Sequence, residues 1–373
     1  MGALIMNNNF DQFITGAHGR LHRLWIVIKR LPIFSAFVLL PLIAVSAICF
    51  AHVDSISEMG VSALPLAIVL GMIAGHCVGH LPEDSELQWV RFCQQRLLRA
   101  GIILFGFSLT LQQLLAVGWQ ALVLDMLVVT CVLLVGIWLG VHLFKLPVDL
   151  AILTSAGSAI CGAAAILATE SILKPRQQHV SMAVATVVLF GTVAMFSYPF
   201  IFPLTGMTEQ QFGVFIGSTV HEVAQAVAAG ESIGGSALQY AVVVKLIRVM
   251  LLAPFIVILS VCLLRLRGDR ERGSINFPWF VLGFVVAVVI NSGLDNVSQL
   301  FVSTQNIENF VTVTREAAHL ASQFMLTIAM AALGYQTRLA AIRQAGAASM
   351  LLAGCLFVLL LGGGFVLNQW LIV

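Results

Sequence analysis

"GSTVHEVAQAVAAG", residues 217–230, sets a histidine beside a carboxylate inside a run of small and apolar residues. The rest of the chain decides how that pair is read. Its 373 residues are 60% hydrophobic and only 10% charged, with a mean hydropathy of +1.00. A soluble domain carries roughly a quarter charged residues, so this is a membrane composition. Apolar stretches recur at 33–50, 61–79, 100–117, 120–144, 180–202, 238–264, 277–296, 317–335 and 349–371. Each is read as a full span, since about 20 helical residues cross about 30 Å of hydrocarbon. The runs are continuous rather than alternating with period 2, which argues against a β-barrel. The expected fold is an all-α polytopic membrane protein.

Two further segments, 150–173 and 212–230, are apolar but rich in Gly, Ala and Ser. Basic residues in short loops mark the cytoplasmic side. They cluster in the N-terminal segment 1–30, at Arg91, Arg96 and Arg99, from Arg265 to Arg272, and at Arg338 and Arg343. The loops at 52–60, 205–211, 231–236 and 295–309 hold no Lys or Arg and read as external. If both small-residue segments cross fully, there are 11 spans and Lys174 and Arg176 fall outside. If both enter and leave on one side, nine spans remain and every loop keeps its expected sign. The re-entrant arrangement fits the charges better; full crossing stays open. Either way residues 31–373 form one transmembrane domain behind a cytoplasmic N-terminus, and the first apolar run is a retained span with no A-x-A-like cleavage site after it.

Internal echoes point the same way. "FGFSLTLQQLLAVG" (105–118) resembles "LGYQTRLAAIRQAG" (333–346), pairing 61–145 with 277–371. "GSAICGAAAILATE" (157–170) aligns with 217–230, pairing 150–203 with 208–265. If re-entrant, the second pair enters from opposite sides and is inverted. Inverted repeats with interrupted helices are an architecture of secondary transporters, with substrate at the repeat interface. Non-helical backbone at that depth must be buried in protein or line a watery cavity.

The candidate site follows from these segments. Gly157, Ser158, Cys161 and Gly162 in the first, and Gly217, Ser218 and Thr219 in the second, let a ligand approach the backbone. Amides freed at a helix break bind anions; the bland reading is small-residue helix packing. His221 and Gln225 stand i, i+4 on one face if the segment is helical there, and Gln225 is assigned to the substrate. Ionisable residues within membrane segments are costly and usually face a pathway or partner. His221, Glu222 and Glu170 are therefore assigned to coupling, with Glu170 beside Lys174 in a surface ion pair as the bland alternative. Lys245 and Arg248, three apart on one helix face, are assigned to the anion, against snorkelling of Lys245 to the external surface. Asp125 and His142 stand near span ends and read as wet; Arg315, Glu316 and His319 read as a solvated helix start. Seven scattered cysteines without C-x-x-C spacing read as packing residues. No nucleotide-binding, metalloprotease or serine-nucleophile motif occurs, so no ATP-driven step, enzyme activity, cofactor, metal or nucleic-acid partner is expected.

"LRAGIILFGFSLTL", "GSAICGAAAILATE", "VATVVLFGTVAMFSYPF" and "IGSTVHEVAQAVAAG" followed by "KLIRVMLLAPF" closely resemble the YeiH family of bacterial inner-membrane proteins, also named for sulfate export. The resemblance covers nearly the whole chain after Ile33. It implies the bacterial inner membrane and a likeness to the cation:proton antiporter and anion transporter superfamily, with its crossed interrupted helices and dimerising panel. The expected function is secondary transport of a small anion such as sulfate, sulfite or a sulfonate, coupled to a proton or ion, with a homodimer implied. A cation:proton antiporter is the alternative; a membrane receptor or scaffold is a third reading, against which stands the lack of any sizeable soluble domain.

Overall fold

A computed structural model describes residues 35–53, 62–78, 84–267, 279–300, 305–337 and 346–372. Among these the chain is helical and holds no strand. In chain order the helices are α1 (Ala36–Ala51), α2 (Ala63–Val78), α3 (Asp84–Phe92), α4 (Leu98–Phe105), α5 (Leu111–Ala116), α6 (Gly118–Trp138), α7 (Val148–Ala159) and α8 (Ala163–Leu173). They continue as α9 (Gln177–Thr205), α10 (Glu209–Thr219), α11 (Val223–Glu231), α12 (Gly235–Met250), α13 (Leu252–Arg267), α14 (Trp279–Leu300), α15 (Gln305–Gln336) and α16 (Ala347–Leu371). Among the described residues, five stretches are long and apolar enough to cross a membrane: Gly118–Leu143, Gln177–Thr205, Gly235–Cys262, Val311–Gln336 and Ala347–Leu371. Others are apolar but shorter, among them α1, α7 and α8. Residues 1–30, Arg270, Arg272, Arg338 and Arg343, which carry much of the predicted sidedness, lie outside the described residues. So does most of the echo at 333–346.

The two small-residue segments each break and fold back. Asp149 at the start of α7 meets His179 at the start of α9 (2.7 Å), and Glu170 near the end of α8 accepts from Gln177 (2.7 Å). Gly157, deeper along α7, lies against Ile166 of α8 and Val187 of α9. Both outer ends of the α7–α8 hairpin therefore stand at the start of α9, with residues 160–162 as its tip. The α10–α11 hairpin does the same at the other end of α9. Gly213 near the start of α10 and Gly230 near the end of α11 both lie against Ala237 at the start of α12, and Glu209 lies against Gly234. Its tip is residues 220–222. The hairpins thus enter from opposite ends of the molecule, and long helices α6, α9, α12 and α16 pack around them.

A second packed group is built from α1, α2, α4, α14 and α15. Its tightest approach is between α2 and α15. Gly71 and Gly75 sit against the backbone of Ala331 and Tyr335, where any Cβ would collide. Four-residue glycine spacing lets two helix backbones touch, the device membrane helices use in place of a hydrophobic driving force.

The expected span at 100–117 is not one helix. α4 tightens into a 3₁₀ turn at Gly106–Ser108, Leu109 and Thr110 are extended, and α5 starts afresh behind a Thr110–Gln113 capping box. The groups released by the break are met from α14: Asn291 donates to the Leu109 carbonyl (2.9 Å), and Ser292 Oγ accepts from the Leu111 amide (2.6 Å). The cap competes with helix continuation, which hydropathy alone does not register.

Candidate functional site

The hairpin tips meet at Lys245 and Arg248, both fully buried on α12. α7 and α10 end deep in the protein with open C-terminal carbonyls, and these are what the two cations bind. Arg248 donates from Nε to the Ala159 carbonyl (2.6 Å), from Nη2 to Ser158 (2.9 Å) and from Nη1 to Ser218. Lys245 Nζ donates to the Ile160 carbonyl (3.2 Å) and to Val220. A helix C-terminus carries partial negative charge, so cations suit it. One turn of α12 thereby clamps the ends of two half-helices from opposite hairpins.

Glu222 completes the junction. Its Oε1 accepts from the Ala163 amide (3.3 Å), placing a carboxylate at the N-terminus of α8, where the helix dipole favours negative charge. Gly162 makes this possible: φ is 66° and ψ −131°, and a Cβ there would collide with the Glu222 side chain. Only glycine adopts such backbone readily.

This geometry corrects several sequence expectations. Of the amides expected to meet an anion across 157–163 and 217–220, those at 157–159 and 217–219 lie in helix C-terminal ends that present carbonyls, while the Ala163 amide at the N-terminus of α8 donates to Glu222. Lys245 and Arg248 spend five donors on that backbone, which leaves one N–H on Lys245 and two on Arg248 by their donor inventory. Lys245 is buried among both tips and does not snorkel. Gly217 brings α10 against Ala241 and Val244 of α12. Thr219 donates to Phe215 (2.5 Å) and accepts from Tyr198 (2.8 Å), and the Ser218 hydroxyl donates to Phe215 (3.1 Å). His221 precedes α11 rather than sharing its face with Gln225. Gln225 turns to α9 instead, donating to Val188 and Thr192 (3.3 Å each). Glu170 stands at the outer end of α8, away from the tips, because the hairpin carries it back toward the start of α9.

Asp125 is the residue the sequence reading missed. It is fully buried on α6, not wet, and neither carboxylate oxygen has a hydrogen-bond partner among the described residues. The helix that carries it, α6, packs against α12, the helix of Lys245 and Arg248. Its signal was a lone acid in the apolar run "ALVLDMLVV" (121–129). Both ring nitrogens of buried His221 and the Ser158 hydroxyl are likewise without partners among the described residues, while Cys161 is buried at the first tip. The site thus combines committed donors that hold the fold with uncommitted groups able to receive a proton, an ion or an anion.

The family described as Conserved hypothetical protein 698 matches residues 35–353. The UPF0324 inner membrane protein YeiH of Escherichia coli K12 is 42% identical over 321 residues, covering 85% of this chain and 88% of that protein. A UPF0324 membrane protein of Yersinia pestis is 42% identical over 83% of this chain and 85% of its own length. One of Pseudomonas aeruginosa is 41% identical, over 86% and 89%. No solved structure matches the chain. The buried tip residues thus belong to a chain that, over most of its length, is a member of the family of UPF0324 inner membrane proteins of the YeiH type.

Proposed function

We propose that this protein is a secondary transporter of a small anion, coupled to a proton or ion. The observation that carries the reading is the meeting of two broken hairpins, entering from opposite ends, around buried Lys245 and Arg248. Interrupted helices of an inverted pair, joined near the midplane, are the device by which many carriers build a substrate site. Charged groups at such depth are costly and mark pathways. In this reading the hairpins are re-entrant, about nine further segments cross the membrane, the N-terminus is cytoplasmic, and no catalytic step is involved. Sulfate, sulfite or a sulfonate is the proposed cargo, on the family resemblance. The remaining N–H groups of Lys245 and Arg248, the His221 ring and the Ser158 hydroxyl would hold it.

A cation:proton antiporter is the second reading, and a specific observation favours it: both Asp125 oxygens are open while most cationic donors are committed. Proteoliposomes under defined gradients separate the two. Uptake of labelled sulfate, sulfite or taurine supports anion transport; sodium–proton exchange without anion flux supports the antiporter. A folded, reconstituted protein that moves none of these would overturn both.

A further inference from the structure

The two carboxylates near the tips are not equivalent. Glu222 is engaged at the N-terminus of α8, whereas Asp125 receives no hydrogen bond from any described residue. A proton can therefore join or leave Asp125 without breaking a contact that holds the hairpins. The ionisable groups at this junction are Lys245 and Arg248 from α12, buried His221 together with Glu222 at the second tip, buried Cys161 at the first, and Tyr198 from α9, which donates to Thr219. α16, packed on the other flank of α6, contributes no Asp, Glu, Lys, Arg or His. The acids of α7 and α10, Asp149 and Glu209, sit at the outer hairpin ends.

Counted with His221 neutral and with Lys245, Arg248, Glu222 and Asp125 all ionised, two positive and two negative charges meet at the junction and its sum is zero. Adding a monovalent anion alone would leave one buried negative charge in excess. Adding the anion together with a proton on Asp125 keeps the sum at zero. A low-dielectric interior penalises uncompensated charge, so paired loading is the favoured route.

We infer that Asp125 is the proton carrier of the site, and that it makes transport an electroneutral co-movement of one proton with one monovalent anion. The inference rests on the anion-transport reading above. A proton from the loading side occupies an Asp125 oxygen as the anion enters, and both leave on the other side. The anion class is therefore singly charged, such as a sulfonate or hydrogen sulfite; a dianion would need a second proton.

The test uses proteoliposomes containing a pH dye and labelled methanesulfonate as probe. Wild-type uptake should be driven by acid outside, should acidify the lumen and should ignore an imposed potassium-diffusion potential. In Asp125→Asn, luminal acidification should be lost and any remaining flux should follow voltage; Asp125→Glu should restore proton coupling. Voltage-driven wild-type flux, or unchanged proton coupling in Asp125→Asn, overturns the inference alone. No wild-type flux of methanesulfonate, nor of the sulfate, sulfite or taurine used above, overturns the anion-transport reading itself. Infrared difference spectra between acid and alkaline pH give a readout independent of flux. A buried carboxyl band lost in Asp125→Asn and kept in Glu222→Gln supports the assignment; a band unaffected by Asp125→Asn overturns it.

Discussion

At the scale of single residues, Asp125 and Glu170 exchanged roles between sequence and structure. Both are acids in apolar runs, and hydropathy treats them alike. Glu170 ends at the surface with Gln177, while Asp125 is sealed because α6 packs among α7, α12 and α16. Gly162 is the sharpest single constraint. Its positive φ costs an L-residue about 1–3 kcal/mol, before the collision with Glu222 is counted. Gly162→Ala should therefore lower the thermal midpoint of the detergent-purified protein. Gly362→Ala, where a Cβ meets nothing within 4 Å, should leave it unchanged or raise it, since alanine is favoured over glycine within a helix. Equal midpoints for the two variants would contradict the tight tip described above.

At the scale of elements, the distinctive feature is a helix that stops midway with its carbonyls inside protein. α7 and α10 both do so, and α12 supplies the cations that complete them. Arg248 serves three carbonyls and Lys245 two. An unsatisfied buried acceptor costs about 1–3 kcal/mol. Arg248→Met should then destabilise more than Lys245→Met, with both falling below the wild type in denaturant titrations. Lys245→Met matching the wild type would show that its carbonyl contacts add nothing. The break at 106–110 obeys the same rule with neutral partners, Asn291 and Ser292 in place of cations. Arg315 in turn holds Asn291 through Nε (2.7 Å), so a residue read as solvated supports this second break.

At the scale of the whole molecule, the hairpin geometry makes a prediction about sidedness. Lys145 and Arg176 flank the first hairpin, Glu209 and Gly235 the second, and all four are exposed. In a cysteine-free background, single cysteines at 145 and 176 should react with an impermeant thiol reagent from one face of the membrane, and those at 209 and 235 from the other. Opposite reactivity within either pair would require full crossing and remove the re-entrant reading. Much of this architecture was legible in advance. Apolar runs located most helices to within a few residues, as at 120–144 against Gly118–Leu143, because burial in lipid imposes length and hydrophobicity directly on sequence. The small-residue segments were singled out by composition, since broken helices packed tip to tip tolerate little bulk. The span at 100–117 failed for the converse reason: its break leaves the apolar count untouched and is encoded in one threonine–glutamine cap.

The sequence by itself determined an all-helical membrane chain, its family, and the small set of polar residues that must be compensated in a low-dielectric interior. Only the tertiary structure decided what compensates them. Whether a buried lysine faces a substrate or a helix end, and whether an acid is wet or sealed, depends on which elements converge on it from distant parts of the chain. Lys245 and Arg248 are clamps on carbonyls 25 to 90 residues away, and Asp125 is the acid left open beside them. Hydropathy is a property of a local window; charge compensation is a property of the packed whole.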